Sequence, residues 1–119
     1  MIGGFDGQNY FNSMRKIDLI KRKQSEEPPM KHRRCYVAVA MAKGYIYAIG
    51  GMDGQQRLDA CERFHIRDRN WEELPKMSEK RSDADATSVN DRVYIAGGFN
   101  GHECLSSIEY FDEDTFQSA

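Results

Sequence analysis

The chain has 119 residues, 30% of them charged, with a formal net charge of −2 and a mean hydropathy of −0.75. This balance gives no overall electrostatic pull toward nucleic acid, and no apolar run approaches the roughly 18 residues of a membrane span. Met1-Ile2-Gly3-Gly4 lacks the basic start and apolar stretch of a signal peptide. The three cysteines, without a C-x-x-C pair, fit reduced thiols in the cytoplasm better than a disulfide framework.

In chain order the first landmark is Gly3-Gly4, followed by Phe5-Asp6-Gly7. The phrase returns as Gly50-Gly51-Met52-Asp53-Gly54 and as Gly97-Gly98-Phe99-Asn100-Gly101, a constant period of 47 residues. Such a period marks an array of one supersecondary unit. In the first copy the loop Gln8-Asn9-Tyr10 closes at Phe11, and residues 14–17 alternate as a strand. Residues 21–27 are wholly polar and predict a poor outer strand, with Gln24 where the next copy has Trp71.

The second copy predicts four strands. Residues 35–41 and 44–49 flank the hairpin turn Ala42-Lys43-Gly44. After the glycines, the loop Gln55-Gln56-Arg57 closes at Leu58, and strands at 61–64 and 71–74 lead to Pro75 and Met77. In the third copy, residues 83–89 and 91–96 flank Asn90-Asp91, the loop His102-Glu103-Cys104 closes at Leu105, and a strand follows at 108–111. Asp85 stands where the second copy has Ala38, either on a channel or at a loop end. At an offset of 47, Ser118 aligns with Trp71, so the fourth strand of this copy is expected to be absent. Met1-Ile2 align with Ala48-Ile49, so the first copy is expected to lack its first strand and most of its second. The expectation is an all-β array of four-stranded antiparallel blades: a partial repeat over 1–30 (third and fourth strands), a complete one over 31–77, and a partial one over 78–119 (first three strands). Gly3, Gly4, Gly50, Gly51, Gly97 and Gly98 read as structural, giving positive φ and close strand approach. Trp71 reads as structural too.

The glycine pairs, the Asp-Gly that follows, the aromatics near Tyr110, Trp71 and Pro75-x-Met77 resemble kelch repeats, over essentially the whole chain. The closest resemblance is to the kelch-like substrate adaptors, which carry BTB and BACK domains ahead of a kelch β-propeller. That resemblance implies a protein or peptide substrate and recruitment of cullin-3 through the BTB and BACK domains, neither of which is in this sequence. The chain is then a propeller fragment in a cytoplasmic ubiquitin ligase. An actin-binding kelch scaffold is the alternative within the binding class, and a truncated chain without independent function is another.

The resemblance places Arg34 and Arg81 before the innermost strand of each blade, where an arginine often faces the ligand. Arginine suits that role because its planar fork grips carboxylates and carbonyls bidentately. The same positions would equally pair with acids in neighbouring blades and staple the ring. Tyr36 and Asp83 fall on or near the same rim. In the variable loops, Tyr10 and Arg57 stand out because such residues are enriched at interface hot spots, with Ser13 and Ser107 beside them. The basic cluster at 15–34 is interrupted by Glu26 and Glu27 and has no interleaved aromatics, so it reads as a solvated outer strand. His32, His65 and His102 share no metal-ligand spacing, and neither a phosphate loop nor a nucleophile with a base is present. No cofactor, no metal and no enzymatic activity are expected. A copper oxidase of the related galactose-oxidase type would need a Tyr–His cluster that His65 does not supply.

Overall fold

The computed structural model of the chain describes residues 2–5, 10–18, 23–27 and 29–119. Every regular element among them is a strand. The first sheet holds β1 (Ile2–Phe5), β2 (Tyr10–Asp18) and β3 (Lys23–Glu27). The second holds β4 (Ala38–Ala42), β5 (Tyr45–Ile49), β6 (Cys61–His65) and β7 (Asn70–Leu74). The third holds β8 (Asp85–Val89), β9 (Arg92–Ala96), β10 (Ile108–Phe111) and β11 (Phe116–Ser118). Neighbours in sequence are neighbours in each sheet and pair antiparallel. This is the meander that short strands joined by tight turns must form. No helix is present among the described residues, so none can cross a membrane.

The inner hairpins turn identically. Lys43 and Gly44 have φ of +52° and +81°, and Asn90 and Asp91 have +51° and +64°. Two successive left-handed residues match the right-handed twist of the flanking strands. Asn and Asp tolerate that region better than other side-chain-bearing residues.

Two predicted boundaries change. The third repeat does contain its fourth strand: Phe116 pairs with Phe111, Gln117 with Tyr110 and Ser118 with Glu109. Phe116 packs on Phe111 at 5.3 Å between ring centroids, as Trp71 packs on Phe64 at 5.3 Å. Trp71 lies seven residues beyond Phe64 but Phe116 only five beyond Phe111. The shorter turn is organised by Asp112, whose Oδ1 accepts the amides of Asp114 (3.1 Å) and Thr115 (2.8 Å). A fixed offset therefore slides past the strand. In the first repeat, β1 runs on through Gly3-Gly4 to pair with β2, with a register shift between Ile2 and Gly4. That gives it three strands where two were expected.

Sheets pack face to face in a taper. Between the second and third, Ala38, Ala40 and Ala42 of β4 meet Ala84 and Ala86 at the inner edge. Side chains this small let β4 and β8 approach closely. Further out the gap is filled by Tyr47, Leu74, Met77 and Phe111, with Tyr47 and Phe111 rings 6.0 Å apart. Each such large side chain contributes about 2 kcal/mol by leaving water. Met30, Ala48, Phe64 and Trp71, with Ile2, Val37 and Ile46, fill the seam between the first and second sheets. Asp85, at the repeat position of the buried Ala38, lies exposed on β8.

A cation–π pair recurs with its members exchanged. In the second repeat the Arg63 guanidinium of β6 lies 3.9 Å from the Tyr45 ring centroid on β5. In the third, Arg92 of β9 lies 4.4 Å from the Tyr110 ring on β10. Tyr45 and Arg92 are equivalent under the repeat, as are Arg63 and Tyr110.

The seam makes the glycines unequal. A Cβ on Gly50 (φ +65°) would collide with the Arg81 carbonyl oxygen, whereas one on Gly44 (φ +81°) meets nothing within 4 Å. Gly44→Ala should therefore cost only the left-handed strain, about 1 kcal/mol, and Gly50→Ala roughly 3 kcal/mol. Urea unfolding followed by tryptophan fluorescence checks the order.

Candidate interaction rim

One rim of the array is formed by the start of β4, the end of β5, the start of β6 and the end of β7, and by their equivalents in the third repeat. Arg34 and Arg81 lie at this rim but point inward. Both side chains are 0% exposed. Arg34 Nη1 donates to the carbonyls of Gly50 (2.5 Å) and Ala60 (2.8 Å), and its Nε and Nη2 donate to Glu62 Oε2 at 3.3 and 3.0 Å. Arg81 repeats the pattern on Gly97 O (2.8 Å), Ser107 O (3.0 Å) and Glu109 Oε2 (3.1 and 2.9 Å). The second oxygens of the acids are also used: Glu62 Oε1 accepts the Lys31 amide at 2.7 Å, and Glu109 Oε1 the Ser78 amide at 2.9 Å. A buried ion pair is tolerable when every polar atom is engaged in this way.

The expectation was that Arg34 and Arg81 grip a ligand; the structure places both side chains inside, paired with Glu62 and Glu109. Their forks are filled by their own sheets, with none of the donors facing solvent. Nor do their side chains reach acids of neighbouring blades. The link between blades runs through the backbone instead: Gly51 N donates to Arg81 O at 2.7 Å, and Arg81 N to Leu58 O at 3.0 Å. Ser107 belongs to the same clasp, its Oγ accepting from Arg81 Nη2 (2.7 Å) and donating to Glu79 (2.6 Å). Glu62 and Glu109 were not singled out from the sequence. The signal was available, since Arg34/Glu62 and Arg81/Glu109 share one spacing of 28 residues in two successive repeats.

Tyr36 and Asp83, two residues further on, behave differently. Each has a left-handed backbone, φ +54° and +59°. Tyr36 is 56% exposed and Asp83 is exposed as well. The Asp83 amide donates to the Tyr36 carbonyl at 3.0 Å, so the two meet across the blade seam. A tyrosine held at positive φ costs roughly 1–2 kcal/mol and persists only where the surroundings impose it. Here the bridges Cys35–Met52 and Ser82–Phe99 on the preceding residues impose it.

Above the seam stand the loops that follow the glycine pairs. The two that follow Gly51 and Gly98 are narrow ladders closed by Asx turns. Asp53 Oδ1 accepts the amides of Gln55 (2.9 Å) and Gln56 (3.0 Å), and Asn100 Oδ1 those of His102 (2.8 Å) and Glu103 (2.9 Å). Burial acts to raise the Asp53 carboxyl, but these amide donors outweigh it and hold the group below the usual aspartate value. Arg57 is half-buried with its guanidinium 5.1 Å from the Phe99 ring centroid and a contact to Met52 Sδ, joining one loop to the next. Its Nε is buried without a hydrogen-bond partner among the described residues. Tyr10 and Ser13 lie on β2, where the description covers the backbone and not their side chains, and Gln8 and Asn9 lie outside the described residues.

Other polar groups pair locally. His32 Nε2 meets Glu73 at 2.7 Å and His65 Nδ1 meets Asp68 at 2.8 Å. Among the described residues no three His, Cys, Asp or Glu side chains converge as a metal ion requires.

Two measurements follow from this geometry. Arg81→Met should destabilise the fold by about 3–5 kcal/mol because it strands a buried carboxylate, and adding Glu109→Leu should recover part of the loss. Denaturant midpoints of the two variants test this. Burial pushes the Cys61 thiol up to about 12 and raises Cys35, whereas Cys104 is exposed. Iodoacetamide on the folded chain at pH 8 should label Cys104 and spare Cys61, read by peptide mass spectrometry.

A search among curated proteins found no match. The Kelch motif matches residues 33–78 and again 80–117, the second and third repeats as the sheets divide them. With most of its length in two matches that coincide with two four-stranded antiparallel sheets, the chain belongs to the kelch-repeat family.

Proposed function

We propose that this chain binds a partner protein along the rim that carries Tyr36 and Asp83, as part of a kelch propeller that selects substrates for a cullin-3 ubiquitin ligase. Kelch repeats suggest a protein-interaction module, and the exposed rim supports reading this surface as the one that binds. The observation that carries the reading is the exposure of two non-glycine residues at positive φ, at the same place in successive repeats. Strained backbone held in place by surrounding bridges, with its side chains left exposed, is a feature that clusters at contact sites. The adaptor role rests on the resemblance to kelch-like proteins, and catalysis has no support in the residues gathered here. A cytoplasmic setting agrees with three free cysteines.

Asparagine tolerates a left-handed backbone, so Tyr36→Asn with Asp83→Asn should fold with an unchanged or slightly raised melting temperature. Proximity labelling by the chain in cells should lose its specific partners by tenfold or more with this pair, the size of a hot-spot loss. Lys43→Ala on the opposite rim should keep them. Among the partners, substrates of the ligase should accumulate when cullin neddylation is blocked. Partners indifferent to the Tyr36/Asp83 pair would reject the rim, and partners that keep a constant level under the block would reject the adaptor role alone.

A further inference from the structure

The chemistry of the seam specifies what it takes. The three arginines that reach it are engaged internally: Arg34 and Arg81 in buried ion pairs and Arg57 over the Phe99 ring. Tyr36 and Asp83, by contrast, leave an aromatic ring and a carboxylate exposed there. Tyr36 makes no side-chain hydrogen bond or ring contact among the described residues. The Asp83 carboxylate accepts only the Ser82 hydroxyl, at 3.0 Å, with no cation in ion-pair range among those residues. The backbone bond from Asp83 to Tyr36 fixes the two at one point on the seam.

We infer that Tyr36 and Asp83 form a receptor for a cationic side chain, so that the partner presents an arginine or lysine to this seam. A ring face attracts a cation through its quadrupole, and a carboxylate on the residue bonded to it through the backbone adds a charge-assisted hydrogen bond that an arginine fork can take in bidentate form. The chain already uses the same chemistry internally, in Arg63 on Tyr45 and Arg92 on Tyr110. Exposed Arg33 and Lys80 stand on the segments leading to the seam, so an acidic partner is the competing outcome that the test includes. The inference rests on the rim reading but fails separately from it.

The probes are three capped pentapeptides, Gly-Gly-X-Gly-Gly with X as arginine, citrulline or glutamate, titrated into the full chain. The readout is the NMR shift of the Tyr36 ring and the Asp83 amide. The arginine peptide should move both signals and saturate in the millimolar range, with citrulline at least tenfold weaker, about 1.4 kcal/mol. Asp83→Asn should abolish that preference, and Tyr36→Phe, which keeps the ring, should retain it. Equal response to arginine and citrulline, a preference for glutamate, an unchanged preference in Asp83→Asn, or no response at all overturns the inference. If partner labelling still depends on Tyr36 and Asp83 in that case, the rim stands and only the cationic occupant falls. If the arginine preference holds while labelling ignores the rim, the receptor stands without that role.

Discussion

The buried arginine at the head of the third repeat does two jobs with two parts of one residue. The guanidinium of Arg81 ties the end of β9, the approach to β10 and Glu109 into one sheet. Its backbone, through Leu58 and Gly51, holds the preceding sheet. The glycine after β5 has to be a glycine because that carbonyl lies against it. Everything else at the rim follows from this register: the Cys35–Met52 and Ser82–Phe99 bridges, the left-handed turn at the next residue, and the outward projection of Tyr36 and Asp83.

The seam between sheets has the complementary constraint. Radiating sheets diverge, so the filling must grow with distance from the inner edge. Alanines on β4 and before and along β8 meet inside; tyrosine, phenylalanine, leucine and methionine meet outside. This gradient lets strands of similar composition occupy different places. It explains why β4 buries its alanines while Val39 and Met41, on its other face, remain exposed. The first sheet has no counterpart of β4 among the described residues to cover them.

Much of this was legible in the sequence because the period carries it. Equivalent glycines, hairpin turns and strand positions can be read by sliding the chain along itself. What the offset cannot register is a change of turn length. That is why β11 was missed, with Phe116 already in the tryptophan's role two residues early. Nor can it register the direction of a side chain. Arg34 and Tyr36 have the same parity along an extended strand, and they would share a face if the backbone were regular. The positive φ at Tyr36 breaks that alternation, sending one residue into the sheet's polar clasp and the other to solvent. A turn imposed by bridges to residues 17 positions away leaves no local mark on a tyrosine.

The exchanged cation–π pair bears on how such an array can be divided. Tyr45 and Arg63 sit on adjacent strands of one sheet, as do Arg92 and Tyr110 in the reverse order. A hybrid sheet taking its second strand from one repeat and its third from the other would bring together two cations or two phenols. Either combination lacks the attraction that both parents have. The hairpin is the smallest unit the backbone could copy, but the side chains make the middle of each sheet indivisible. Repeats of this kind can be shuffled whole or cut in their long loops, and a junction between the second and third strands would be silent in the backbone while unpairing the charge.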